Sequence, residues 1–408
     1  MADEAADVEI VRLGAQGDGI AQTPDGHPRF VPFALPGERV RVSGEDLVKI
    51  VGPASVDRRA PICRHFGVCG GCVAQHMSEA LYADWKRGIV LEAFRQRGLT
   101  PDVAPLLRVP PGSRRRAVLS CRRAGAEVTL GYHGRRSHAL FNLEECPVLV
   151  PGIVAGLPGL RAIAGLLAAD EIRFTVLATA AGLDVSVEGK LRRPDAQAAA
   201  ALARISAEHG FARVTIAGET ILARASPVLQ TAGVGVVPPP GAFAQAVAQA
   251  EDALVTAVLE RTGRAKRAAD LFCGLGTFAF ALARRSRVSA FDSDQGAVAA
   301  LQAAVRHATG LKPIEGRVRD LFREPLSPRE LAQFDTMLLD PPRAGAKAQC
   351  EALAKSRVPR IVYVSCDPAT LARDARALVD AGYRLGEVVP VDQFLFSAHV
   401  ELVAAFTR

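Results

Sequence analysis

Aromatic side chains make up only 5% of these 408 residues. No stretch reaches the ~18 uncharged apolar residues that a membrane-spanning helix needs. The nearest run, residues 153–169 (IVAGLPGLRAIAGLLAA), is broken by Pro158 and Arg161, so no membrane association is expected. The first ten residues, MADEAADVEI, are acidic and lack the apolar core of a secretion signal. The expected location is therefore cytoplasmic, where thiols stay reduced. That argues against disulfides and leaves metal binding, chemistry or burial for the eight cysteines. Long internal repeats and low-complexity tracts are also missing. What is present is an ordinary globular balance, 49% hydrophobic and 23% charged. The length predicts two or three domains. An excess of acid is lacking too: the formal charge is +7 and the pI about 9.1. A basic balance suits a polyanionic partner such as nucleic acid, with a merely basic enzyme as the plain alternative.

Three regions follow from the pattern. Residues 1–56 carry short alternating segments, VEIVRL and RFVPF, punctuated by glycines, which predicts a small β-barrel of the OB kind. Residues 57–240 hold a cysteine cluster and a helix over 78–98, with Ser78 as cap and Leu81, Trp85, Ile89 and Phe94 near one face. A β-rich stretch over 105–235 follows, with an Ala-rich helix near 194–209, ending at Pro238-Pro239-Pro240. From 241 to 408 strands and helices alternate: helix 243–262, AADLF, helix 277–285, VSAFD, helix 295–309, DTMLLD, helix 346–356, RIVYVS, helix 368–381 and a last strand HVELVAAFT. That alternation predicts a doubly wound, Rossmann-like α/β sheet.

Chemistry gathers at the predicted strand ends. Asp270-Leu-Phe-Cys-Gly274-Leu-Gly276-Thr277 joins a strand to a helix, and its glycines let the backbone approach a ligand closely. The third glycine of a dinucleotide fingerprint and a P-loop lysine are both missing. Asp292 closes the next strand, where a carboxylate can bind ribose hydroxyls. Together these suit S-adenosylmethionine better than NAD, against the alternative of a plain glycine turn. Asp340-Pro-Pro-Arg343 ends the following strand as a stiff rim. Cys366, in Tyr363-Val-Ser-Cys366-Asp367-Pro368, ends the next and is read as a nucleophile, although a lone cysteine can also be buried filler. A thiolate at such an edge can add to an electrophilic substrate carbon, and a base must later take a proton so that the thiol can leave. Glu401, in His399-Val-Glu401, is taken as that base, a choice that spacing alone does not make.

Cys63-x5-Cys69-Gly-Gly-Cys72, with Cys146-Pro147 further on, has the donors of an iron–sulfur cluster or of zinc. Cys121, Cys273 and Cys350 are read as spectators. Arg114, Arg115, Arg116, Arg122, Arg123, Arg135 and Arg136 have a single acid, Glu127, among them in sequence. They are read as phosphate contacts, or else as a solvated face.

Jointly these motifs resemble the RNA 5-methyluridine methyltransferases, in the TRAM-containing, iron–sulfur branch typified by the 23S ribosomal RNA enzymes. The resemblance runs nearly the whole chain and implies a class I methyltransferase domain. Residues 8–56, with AQGDGIA, look like the TRAM barrel. Cys63, Cys69, Cys72 and Cys146 match 4Fe–4S ligands. Gln245, Phe272, Gly274, Gly276, Thr277, Asp292, Asp320 and Asp340 match positions that contact S-adenosylmethionine; Cys366 matches the nucleophile and Glu401 the base. The resemblance also implies that the helical segment near 78–104 packs on the catalytic domain. The implied partner is RNA, foremost 23S ribosomal RNA, and nothing requires more than a monomer. Four positions depart from the family's usual pattern: Val247 and Asp367 each stand for an Asn, Asp292 for a Glu, and Gln393-Phe-Leu-Phe-Ser for a Met-Phe-Pro run. The alternatives are the same chemistry on transfer RNA, methylation of cytosine carbon 5, a non-catalytic RNA-binding or remodelling protein, and an iron–sulfur redox protein.

Overall fold

The computed structural model describes residues 6–22, 26–43, 46–125, 127–167 and 169–408. Parts of the expected N-terminal module, at 1–5, 23–25 and 44–45, lie outside them. The rest of that module is a five-stranded antiparallel sheet, ordered Pro28–Val31, Gly19–Gln22, Ala6–Leu13, Arg39–Ser43, Asp46–Ile50. An irregularity between Ile10 and Arg12 bends its central strand, so Ile10, Ala21, Val31, Val40 and Val42 close on one small core. Among the described residues the two edge strands are not paired with each other.

The central region is a seven-stranded sheet running from Glu219–Ala223 at one edge to Leu140–Asn142 at the other. The predicted helix near 194–209 is Ala196–Glu208, capped by Asp195. A second helix, Pro151–Leu166, was not expected; it contains Pro158. Proline normally breaks a helix interior, but Ile153, Leu157, Leu160 and Ile163 all bury against the sheet, and that burial outweighs the break.

The C-terminal region carries a nine-stranded sheet. Its core order is Ile314–Val318, Arg287–Asp292, Arg267–Leu271, Thr336–Leu339, Arg360–Ser365, Glu401–Thr407, Val389–Asp392, Leu107–Arg108. The first five strands are parallel and Glu401–Thr407 is antiparallel to its neighbours. The order reverses between Arg267–Leu271 and Thr336–Leu339, the place where doubly wound sheets open a ligand crevice. Helix Ala248–Thr262 starts five residues later than expected and has no side-chain cap, because Val247 occupies the cap position and is buried.

Helix Glu79–Arg95 is capped by Ser78 and packs on this sheet, with Val90 and Phe94 in one core with Leu371 and Ala375. Its buried face is rotated from the expected one and comprises Tyr82, Trp85, Lys86, Val90 and Phe94. Lys86 escapes a hydrophobicity reading because its ammonium is paired internally, with Asp392 at 2.5 Å. Among the described residues no helix is long and apolar enough to cross a membrane.

Candidate active site

The glycine turn owes its shape to backbone strain. Phe272, directly after strand Arg267–Leu271, has φ +65, unusual for a side chain of its size. Gly276 caps helix Thr277–Ala283 with φ +94, and a Cβ there would sit 2.7 Å from Leu301 Cδ1. Asp292 braces the turn: its carboxylate accepts from Gly274 N at 2.8 Å and from Asp294 N at 2.8 Å.

A cavity of about 470 Å³ lies over these strand ends. Gln245, Phe272, Gly274, Thr277, Asp292, Asp340, Cys366 and Glu401 all line it, together with Phe243, Phe322 and Arg343. Gly276, at the cap of helix Thr277–Ala283, is not among the lining residues. Asp320 is not in the wall; its carboxylate caps the turn by accepting from Phe322 N and Arg323 N, and that turn carries Phe322 to the rim.

The thiol and the carboxylate meet through strand register. Ser365 pairs with Leu402 in the antiparallel ladder. The end of one strand, Cys366, therefore faces the beginning of the other, Glu401. The pair is strongly coupled to its surroundings. Burial, then Asp340, pushes Glu401 up to about 8, while a hydrogen bond from Gln393 opposes the shift. Burial, then Asp292, raises Asp340 to about 7. Burial, then Glu401 and Asp340, pushes the Cys366 thiol up to about 12, with Arg343 pulling the other way. Asp270, beneath the turn, is raised by burial and by Asp340 and Asp292. Burial and mutual repulsion thus favour the neutral forms of Glu401, Asp340 and Asp270, and a cation beside them would draw them toward ionisation.

Asp367 adds its charge to the upward push on the Cys366 thiol, after burial, Glu401 and Asp340, but its hydrogen bonds go to the next helix. Its Oδ1 accepts from Ala369 N and Thr370 N at the start of helix Pro368–Asp380, and Arg343 lies 3.7 Å from its other oxygen. The departure at this position is a helix cap.

The four cysteines Cys63, Cys69, Cys72 and Cys146 line one separate cavity of about 350 Å³. Burial pushes Cys72 up to about 12, and the other three thiols add to the shift. Among the described residues no three His, Cys, Asp or Glu side chains converge closely enough for a single metal ion. Phe394, Leu395, Ser397 and His399 form another wall of this cavity. That is a finding sequence distance hides, because these residues lie just before Glu401.

The arginine stretch resolves differently from expectation. Arg115 pairs with buried Glu251 at 2.7 Å, Arg122 with Glu171 at 2.8 Å, and Arg135 and Arg136 with Asp18. Arg114, Arg116 and Arg123 bond backbone carbonyls. The acids absent from the local sequence arrive from elsewhere: Asp18 from a turn, Glu171 from a strand and Glu251 from helix Ala248–Thr262. Glu251 and Thr231 were not foreseen as site residues, and Arg115 was read only as a phosphate contact: Thr231 bonds both Glu251 and Thr277, and Arg115 bonds Gln245 O at 3.1 Å. Gln393 was noted only as a departure, yet it touches Gln245 and Glu401 at once.

Comparison with known proteins agrees with this geometry. Residues 317–408 match the tRNA (Uracil-5-)-methyltransferase family, and residues 233–358 the methyltransferase small domain. An uncharacterized RNA methyltransferase of Rhizobium meliloti is 48% identical over 98% of this chain and 99% of its own length. A 23S rRNA (uracil(1939)-C(5))-methyltransferase of Chromohalobacter salexigens is 35% identical over 100% of this chain and 90% of its own. The crystal structure of Pyrococcus abyssi tRNA (uracil-54, C5)-methyltransferase with S-adenosyl-L-homocysteine superposes with a TM-score of 0.73. It covers 98% of this chain and 100% of that one at 23% identity, which shows a shared class I methyltransferase fold.

Proposed function

The chain belongs to the RNA uracil-C5 methyltransferases, and from that membership we propose that it methylates a uridine of 23S ribosomal RNA through a covalent adduct on Cys366. The observation that carries the mechanism is the shared cavity: Cys366 and Glu401 line the same space as the glycine turn and Asp292. S-adenosylmethionine supplies an electrophilic methyl group there. Cys366 Sγ gives up its proton to solvent and, as the thiolate, adds to carbon 6 of the uracil, forming a C–S bond as the 5,6 double-bond pair moves toward the carbonyl at carbon 4. Carbon 5 would then take the methyl group as its bond to the sulfonium sulfur breaks and S-adenosylhomocysteine leaves. The Glu401 carboxylate removes the carbon 5 proton, the 5,6 double bond re-forms, and the thiolate leaves. Gln245, Phe272, Gly274, Thr277, Asp292 and Asp340 are assigned to the methyl donor, with Gly276 shaping the turn. For Asp320 the turn-capping hydrogen bonds favour an indirect role through Phe322.

A 4Fe–4S cluster on Cys63, Cys69, Cys72 and Cys146 belongs to the same proposal. What supports it is that the four cysteines line one cavity and have the donor set of such a cluster, with Cys146 followed by Pro147. Its assigned role is structural, binding the cysteine loop to the loop before Glu401. The N-terminal sheet is assigned to RNA binding in the manner of a TRAM module.

The ribosomal target is favoured by the full-length resemblance to the Chromohalobacter enzyme. Mass spectrometry of 5-methyluridine in separated 23S and transfer RNA, with and without the gene, tests it. Loss from 23S RNA alone is expected. Loss from transfer RNA alone would overturn the target and keep the chemistry.

A further inference from the structure

We propose that Gln393 is a positioning residue whose single buried amide holds the donor-side Gln245 and the base Glu401 in register. This rests on the reading of Glu401 as the base. Gln393 is 1% exposed. Its Nε2 donates to Gln245 Oε1 at 2.8 Å and to Glu401 Oε1 at 3.1 Å, and its Oε1 accepts from Ala246 N at 3.0 Å. The orientation follows from chemistry: a backbone N–H can only donate, so the amide oxygen faces Ala246 and both amide hydrogens face the two acceptors.

The amide cannot drift, because its loop is tied down. Asp392, fully buried, accepts from Lys86 Nζ at 2.5 Å and Tyr82 Oη at 2.8 Å. Lys86 Nζ also donates to Phe394 O at 3.1 Å and to His399 O at 2.6 Å. Val73 N, beside Cys72, donates to Phe396 O at 2.8 Å. Helix Glu79–Arg95 and the cysteine loop thus hold the segment on which Gln393 sits.

A merely space-filling residue here would be apolar, since burying an amide is costly unless every group is paired. A donor facing Glu401 does what an apolar group cannot. It favours the carboxylate over the neutral acid and fixes which oxygen is free to take a proton. The titratable groups facing Glu401 are Asp340 and Cys366; Gln393 offers a neutral donor against them. The same amide engages the Gln245 oxygen, so loosening it disturbs both sides of the cavity.

The test measures the rate of covalent RNA adduct resolution against pH, and the KM for S-adenosylmethionine. It compares wild type with Gln393→Met, Gln393→Glu and Glu401→Gln. The expected result is resolution slowed about 10- to 100-fold in both Gln393 variants, a pH midpoint moved upward, a raised KM, and adduct formation retained. Wild-type resolution and midpoint in these variants, while Glu401→Gln traps the adduct, would overturn the positioning role and leave the base intact. Rapid resolution in Glu401→Gln would overturn both. Gln393→Glu keeps the size and exchanges the donor for an acceptor, so it decides the question if Gln393→Met fails to fold.

Discussion

The cavities of Cys366 and of Cys72 are alike in that burial favours the neutral thiol. They differ in what stands beside the sulfur. Cys366 is flanked by carboxylates, Glu401 and Asp340, with Arg343 as the opposing cation. Cys72 is flanked by three further thiols and a glutamine. A thiol flanked by acids stays protonated until substrate changes its field, which suits a nucleophile that must be released at the end of each turnover. Four thiols sharing one cavity repel each other's charge and gain only from a cation that neutralises all of them, which suits a permanent ligand set. The cavities are joined by the segment 393–399, whose outer residues line one and whose Gln393 reaches the other.

The comparison is broken most directly at the sulfurs. Cys366→Ala is expected to lower methyl transfer on the order of 10³-fold or more while leaving S-adenosylhomocysteine affinity, read by calorimetry, near wild type. Cys72→Ser should do the reverse: lose bound iron, read by metal analysis, and lower Tm, with the Cys366 adduct still forming in whatever protein stays folded. Iron loss in Cys366→Ala would erase the distinction between the two cavities.

A smaller effect is expected where the cavities join. Lys86→Ala leaves Asp392 buried without its cation, and should cost about 3–5 kcal/mol in denaturant unfolding. No loss of stability would show that the clamp is unimportant. The smallest effect is a pH trend. Glu401 and Asp340 are raised by burial above their ordinary values, to about 8 and about 7. A raised folded pKa gives stability that is full below the ordinary carboxylate range and is lost as pH rises through the folded value. The cofactor-free protein should therefore lose on the order of a few kcal/mol between about pH 4 and 8, and Glu401→Gln should flatten the curve of Tm against pH. An unchanged slope in Glu401→Gln would mean that burial does not hold that proton.

The catalytic sheet was largely legible in the sequence and the central region much less so. RIVYVS is a strand over the six residues expected, 360–365, and helix Pro368–Asp380 ends one residue early. These elements carry strong local signals: an unbroken buried run, then Asp367 and Pro368 at a helix start. Pro151–Leu166 was missed because its proline argues locally against a helix that the neighbouring sheet supports. The arginines at 114–136 looked free because their acids, Asp18, Glu171 and Glu251, lie elsewhere in the chain. Ile314–Val318, partly exposed at the sheet edge, gave no apolar run to read.

By itself the sequence determined the glycine turn, the acids and thiol at strand ends, and the alternation that aligns those ends on one edge. Those depend on residue types a few positions apart, where backbone sterics and side-chain periodicity act. Only the tertiary structure decided that Glu401 faces Cys366, that Gln393 joins Gln245 to Glu401, and that the cysteine cavity shares a wall with the loop before the base. Those contacts span tens to hundreds of residues. They are fixed by strand order and antiparallel register, which the packing of the whole sheet selects and no local pattern encodes.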